Sequence, residues 1–383
     1  MLKTGCIGFG GGNALIPLLE KEFIGKNKLD TQENFDKDIL IASLSPGALP
    51  VELASSLGWR NFGTRGLLLG TAAMTLPGVL ATLLLLTGLE SLRTRVGMFM
   101  NLLTILVSVY IIALIFRYIR KVYFDCHKFS SLFFRRAISV MLGVFALTCG
   151  KNLYRLLGID GAPLFCFTTF QILLASFFVI ILINAIRGII NAKNGKRLKL
   201  NPASAVDRPR DIWVWLIFVL VMSLPSLFLG SALTDYLLFM GKGCVSVLLS
   251  FGGGDAYLAV ADGLFVESGI VSASIFYGDI VSAANILPGS ILCKALTAIG
   301  YTYGISATGS IAGGFIFAMG GYSISVAASC MIFRIVYYLY EHLSGFRSIK
   351  TISHYIGPIV CGLLGTVVLA LLVLCKNSIY QIM

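Results

Sequence analysis

Four residues, Phe9-Gly10-Gly11-Gly12, return 242 positions later as Phe251-Gly252-Gly253-Gly254, and the offset that aligns them keeps aligning residues further downstream. It pairs Ala14 with Ala256, Phe23 with Phe265, Ala42 with Ala284, Pro46 with Pro288, Gly47 with Gly289 and Gly58 with Gly300. Ten identities thus fall within fifty ungapped positions, mostly on glycine and proline, whose backbone roles other residues replace poorly. A chance match between two apolar stretches would fall on Leu, Ala and Val instead. The chain reads as a duplicated module, so its fold must use the same glycine run and the same Pro-Gly break twice.

The medium around those repeats is a bilayer. With 383 residues, 57% of them hydrophobic and 13% charged, the chain has more apolar surface than a soluble protein could hide. Apolar runs over 66–88, 97–119, 161–186, 212–230 and 355–375 each approach or exceed the roughly 20 helical residues a crossing needs. A further helix is expected near 132–150, and an apolar one over 322–340 contains Arg334. Residues 1–12 are too short for a cleavable signal peptide, so the first helix is expected to begin close to Met1. The mixed-charge run from Glu20 to Asp38 reads as a surface loop or interfacial helix.

The net charge of +12 comes from basic residues in short loops between apolar runs, which suits topology signals facing the cytoplasm and anionic lipid. The most polar stretch, 188–210, lacks interleaved aromatics and reads as a basic cytoplasmic linker, not a nucleic-acid patch. It separates a first repeat over 1–187 from a second over 211–383. The nine cysteines are scattered, with no CxxC, and the three histidines lie far apart, so no metal site and no cofactor are expected. Gly8 to Asn13 fails as a dinucleotide fingerprint and no P-loop is present. No nucleophile stands at workable spacing from a base, so the chain is not read as an enzyme.

The resulting fold class is an all-α polytopic membrane protein. It has about ten to twelve membrane segments in two homologous, inverted repeats with broken or re-entrant helices. The stretch 39–59 is interrupted by Pro46-Gly47, and proline cannot continue the helical hydrogen-bond ladder. Counting every piece as a full span puts seven segments ahead of the second glycine motif, an odd number that turns the second copy over. Re-entrant pieces would change that parity, and the basic residues Arg347 to Lys350, read as a loop, fall on the wrong side in a twelve-segment count.

Chemistry points to the repeated breaks. Gly10, Gly11, Gly12 and Gly252, Gly253, Gly254 offer amides without side chains, and Pro46-Gly47 and Pro288-Gly289 leave helix amides and a positive dipole end free. Together they could cradle an oxyanion; close helix packing is the competing use of such glycines. Each glycine run is paired here with the Pro-Gly turn of its own copy. Glu52 and Lys294 stand at equivalent positions six residues past the two prolines. A charge at mid-membrane costs roughly 2.5–3.5 kcal/mol, so the two are expected to form an ion pair, with Lys294 drawing the anion and Glu52 taking a proton, or to snorkel to an interface. Asn13 and Asp255 are candidate polar rim residues, with Arg60, Arg65 and Arg334 as further positive groups.

These motifs resemble the chromate ion transporter family in its two-module, fused form. The likeness rests on Phe9-Gly10-Gly11-Gly12 with Ile16-Pro17, Pro46-Gly47 and Gly58-Trp59-Arg60. It also rests on Ser250 to Tyr257, Ala261 to Val266, Ala284 to Gly289 and Lys294, and is strongest over 5–80 and 243–305. It implies a multi-pass transporter of the cell membrane that moves chromate outward in exchange for protons, with sulfate as the similar competitor. Ala48 and Ser290 stand where that family usually has a second proline, and Glu52 where an Asn is expected. The partners implied are a small oxyanion, protons and the lipid bilayer, and no nucleic acid; a homodimer is compatible. A sulfate or other anion transporter, or a non-transporting binding or scaffold protein of the same fold, are the alternatives.

Overall fold

The computed structural model describes residues 1–7, 15–26, 29–93, 131–159, 211–250, 254–342 and 347–382, with scattered positions within 105–127 and 167–175. Among these the regular structure is helical throughout. The first repeat runs through α1 (Leu2–Ile7), α2 (Ile16–Glu20), which widens into a π-helical segment at Lys21–Lys26, α3 (Gln32–Leu44) and α4 (Leu49–Arg93). Then come α5 (Ser131–Thr148) and α6 (Gly150–Leu157).

The described chain then resumes with α7 (Asp211–Ser223), a 3-10 stretch at Leu224–Ala232 and α8 (Leu233–Leu248). Next are α9 (Gly254–Ala261), prolonged by a π-helical segment at Asp262–Val266, and α10 (Ala273–Ile275), which passes through another at Phe276–Ile280 into α11 (Val281–Ile286). The chain continues through α12 (Ile291–Thr308), α13 (Ile311–His342) and α14 (Arg347–Ile382).

Four stretches among the described residues are long and apolar enough to cross a membrane: Leu49–Gly88, Ser131–Thr148, Asp211–Leu248 and Ile311–Tyr340. The first and third, at 40 and 38 residues, would each extend nearly 60 Å as a straight helix, about twice the hydrocarbon thickness. Both are broken. In α4 the helix is interrupted at Phe62 and Gly63, and Gly63 takes φ 60 and ψ −144; between α7 and α8 the interruption falls at Gly230, with φ 56 and ψ −119. These positive φ values suit a residue without Cβ. The outer face of the α7–α8 pair carries Trp213, Leu220, Leu227 and Phe228, all exposed, as a lipid-facing helix pair should.

The proline-broken elements are short. Residues 254–266 and 273–286 are limbs of about 20 Å each at helical rise, below the roughly 30 Å a crossing needs. The two limbs are joined by a turn at Ser268 to Val271, and most of both is buried, from Tyr257 to Phe265 and from Phe276 to Ala284. The first repeat repeats the pattern with α2, its π-helical extension and α3. Thr31 caps α3, its Oγ1 accepting from the Asn34 amide at 3.3 Å.

The mixed-charge run, read as either a surface loop or an interfacial helix, is largely helical over its described residues, and Phe23 and Phe35 are buried in a cluster with Leu15, Ile41, Leu57 and, from α13, Phe333 and Tyr337. Its charged residues alternate with an apolar face that the second repeat covers. Arg347 to Lys350 form the first turn of α14 and not a loop. Of the spans expected at 97–119 and 161–186, most positions lie outside the described residues, and the stretch 188–210 lies wholly outside them.

Small residues set the helix spacing. A Cβ on Gly300 of α12 would stand 2.6 Å from the Phe317 carbonyl oxygen of α13, and one on Gly304 would stand 2.7 Å from that of Gly313. In the first repeat Gly58 and Gly66 face each other's carbonyls across the α4 break in the same way. Gly300→Val is expected to destabilise the protein by about 1–3 kcal/mol through overpacking. Gly241→Ala on α8, where a Cβ meets nothing within 4 Å, should be neutral or slightly stabilising. Thermal unfolding of the two variants in the same detergent checks the opposite signs.

Candidate functional site

Each Pro-Gly turn ends one short helix and starts another, freeing carbonyls on one side and amides on the other. The first turn lies between α3 and α4, and the second between α11 and α12. Gly47 adopts φ 133 and Gly289 φ 96, conformations that favour glycine at both turns.

What the turns touch was not visible in the sequence. The Gly47 amide donates to the Ser250 carbonyl oxygen at 2.8 Å, and the Ala48 amide donates to Ser329 Oγ on α13 at 3.2 Å. The first turn is thus held by the second repeat, next to the residue that leads into Phe251. The second turn is held by the first repeat. A Cβ on Gly78 of α4 would run into the Pro288 carbonyl oxygen, and one on Gly289 would stand 3.6 Å from Gly78 Cα and 3.9 Å from the carbonyl oxygen of Gly5 in α1. Each turn therefore packs against the other copy, beside the segment that precedes that copy's glycine run. The expected pairing of each glycine run with the turn of its own copy falls on residues outside the described ones.

The two turns differ in what remains open. Residues 45–48 are buried, and two amides expected to meet an anion there are spent on Ser250 and Ser329. At the second turn Leu287 and Pro288 are only half-buried and Ile286 is exposed. Among the described residues nothing accepts a hydrogen bond from the Gly289 or Ser290 amide.

The two charged equivalents are both inside, Glu52 at 0% exposure and Lys294 at 1%, so neither snorkels to an interface. Nor do they pair with each other. Lys294 Nζ donates to the carbonyl oxygens of Ala284, at 2.5 Å, and Leu287, bridging the second break and capping the end of α11. Glu52 Oε2 lies 2.8 Å from Ser45 Oγ, which also lies 3.2 Å from the Ala42 carbonyl oxygen. Glu52 Oε1 has no hydrogen-bond partner among the described residues. Each side chain is long enough to satisfy its own break, and that local bonding keeps acid and base apart.

Of the remaining expected site residues, Gly10, Gly11, Gly12, Asn13, Gly252 and Gly253 lie outside the described residues. Gly254 and Asp255 open α9.

Arg60 does more than anchor the chain. Its guanidinium lies 2.6 Å from Asp30 and 2.5 Å from Asp38, and it donates to Ser56 Oγ at 3.2 Å. This clasp ties α3 to α4 across the first break, at the end away from Glu52. Burial pushes the Asp38 carboxyl above its ordinary value, against the pull of Arg60. Burial would raise Asp30 as well, but hydrogen bonds from Asn34 and the Thr31 amide, with the Arg60 charge, hold it low. Arg334 is engaged with Asp211 of α7 at 3.2 Å. Ser45, Ser329 and Gly78 went unread in the sequence, and Ser250, Asp30 and Asp38 figured there only as members of longer stretches. Ser45, beside Pro46, and Ser250, beside Phe251, stood next to legible signals.

Gly47→Ala is expected to be the more damaging of the two turn substitutions. Its Cβ would stand 2.5 Å from Glu52 Oε1 and 2.8 Å from Ser329 Oγ, whereas at Gly289 the nearest atom is 3.6 Å away. Folded yield and melting temperature of the pair should fall in that order. Arg60→Ala leaves Asp38 buried without its cation and should cost about 3 kcal/mol, read from denaturant or thermal unfolding.

The chain is 37% identical over 81 residues to an uncharacterized transporter of Bacillus subtilis, YwrB, covering 21% of this chain and 41% of that protein. It is 31% identical over 84 residues to the chromate transport protein of Cupriavidus metallidurans, and 29% identical over 79 residues to a probable chromate transport protein of Synechococcus elongatus. Those matches cover 22% and 21% of this chain and 21% and 20% of the relatives, so less than half of each relative's length is spanned. No solved structure matches the chain. Residues 1–189 and 244–383 match the family described as "Chromate transporter", and over those two regions the chain belongs to it.

Proposed function

We propose that this chain is a secondary transporter of a tetrahedral divalent oxyanion, with chromate as its first substrate and sulfate as the chemical rival. The observation that carries the reading is the second break. A buried ammonium, Lys294, sits on the carbonyls of a Pro-Gly turn whose downstream amides have no acceptor among the described residues and whose edge reaches the surface. Lys294 has a third hydrogen to give, and amides at a helix start favour an anion. Gly10, Gly11, Gly12, Asn13, Gly252, Gly253, Gly254 and Asp255 are the residues proposed to complete the site.

The exchange of turns between copies supports a pair of repeats that rock against each other around a shared site, the arrangement of alternating access. In this reading the copies are inverted, residues 188–210 are the cytoplasmic linker between them, and chromate leaves the cell as a proton enters. Glu52 and Asp255 are the carboxyls proposed to carry that proton.

Purified protein in vesicles, given labelled sulfate or chromate under an imposed pH gradient, tests this. Flux of at least one anion is expected, and Lys294→Ala should reduce it by about tenfold or more, a loss of at least 1.4 kcal/mol. Correctly inserted protein that moves neither anion would sink the reading.

A further inference from the structure

Among the described residues around Glu52 there are more acceptors than hydrogens. Ser45 Oγ owns one hydrogen, yet it lies within bonding distance of two oxygens, Ala42 O at 3.2 Å and Glu52 Oε2 at 2.8 Å. A carbonyl and an ionised carboxylate only accept. Were Glu52 ionised, one hydrogen would have to serve both, and Oε1 would be a fully buried anionic oxygen without a donor among the described residues. Such a group is far more costly than a neutral one.

A proton on Oε2 removes the conflict. Glu52 then donates to Ser45 Oγ, Ser45 donates to Ala42 O, and the oxygen left unpaired is a neutral carbonyl. Among the described residues no neighbour offers another solution. Ser329 Oγ donates to Ser325 O at 2.9 Å and accepts from the Ala48 amide. The titratable group facing Glu52 from α13 is the Cys330 thiol, itself bonded to Ser55. Asp38 on α3 is held by Arg60, and Lys294 on α12 by Ala284 and Leu287.

The second repeat shows what this chain of bonds accomplishes. Ala42 and Ala284 are equivalent, as are Glu52 and Lys294. In both copies the residue six past the proline delivers a hydrogen to the carbonyl four before it, directly from the ammonium in one and through Ser45 in the other. Lys294 can do so whenever it is charged. Glu52 can do so only when protonated.

The geometry points to Glu52 as a proton-binding site, occupied in this conformation, whose proton is the cap that holds the first break closed. When the proton leaves, the carboxylate competes with Ala42 O for the single Ser45 hydrogen and presses an anionic oxygen against the Gly47 turn. The break is then released from its contact with the second repeat. The step from this cap to coupled transport rests on the transporter reading above; the protonation itself does not.

Infrared spectra of the full chain in lipid at neutral pH are expected to show a carboxylic-acid C=O stretch that disappears in Glu52→Gln, whose amide keeps a donor for Ser45 and nearly the same shape. Spectra that coincide in this region would overturn the proposal whether or not the protein moves an anion, provided both proteins are monodisperse and melt alike. In the vesicle assay, flux through Glu52→Gln should lose its dependence on pH. A variant that keeps the wild-type pH profile would overturn the role of this cap in coupling. An absence of anion flux in the wild type would instead fail the transporter reading, leaving the infrared result to decide the protonation.

Discussion

A helix interrupted inside a bilayer must find new partners for every amide and carbonyl it frees, because no water is there to take them. The rest of this structure depends on how two Pro-Gly breaks meet that demand. On the amide side of the first break, Gly47 and Ala48 reach across to Ser250 and Ser329. On the carbonyl sides, Lys294 serves Ala284 and Leu287, and Ser45 with Glu52 serves Ala42. Much of this satisfaction is borrowed from the other copy, which makes the packing of one repeat on the other a condition for either break to exist.

Close approach makes such borrowing feasible. Gly78 has no side chain where the Pro288 carbonyl passes, and Gly47 has none where Glu52 and Ser329 meet. The same economy of volume joins α12 to α13 through Gly300 and Gly304. In lipid, where apolar side chains gain little by leaving their solvent, close backbone contact and hydrogen bonds supply the attraction between helices. The competing use of the glycines, close packing, thus holds for several of them and coexists with breaks that need glycine for its backbone freedom.

Charge is distributed by the same rule. Asp38, Asp211 and Lys294 are all buried, and each has a specific occupation: Asp38 with Arg60, Asp211 with Arg334, Lys294 on a pair of carbonyls. An acid and a base at equivalent positions looked like a pair in the sequence, and distance along the chain gave no reason to object. They stay apart because each side chain is already committed to the break from which it projects, where its partners are only a few residues away. Arg60 and Asp38 show the converse, since a run of mixed charge carries no periodic mark saying which acid turns inward.

The sequence by itself determined the helical membrane class, the duplication and the positions of both breaks. These come from composition and from local covalent facts: proline has no amide hydrogen, and glycine alone takes the turn conformations without strain. Only the tertiary structure decided that each turn packs against the other copy, that one break is sealed while its twin reaches the surface, and that Glu52 and Lys294 do not meet. Those outcomes depend on contacts between residues more than two hundred positions apart, such as Gly47 with Ser250 and Gly78 with Pro288, and on which copy supplies the missing acceptor. No local pattern encodes that choice.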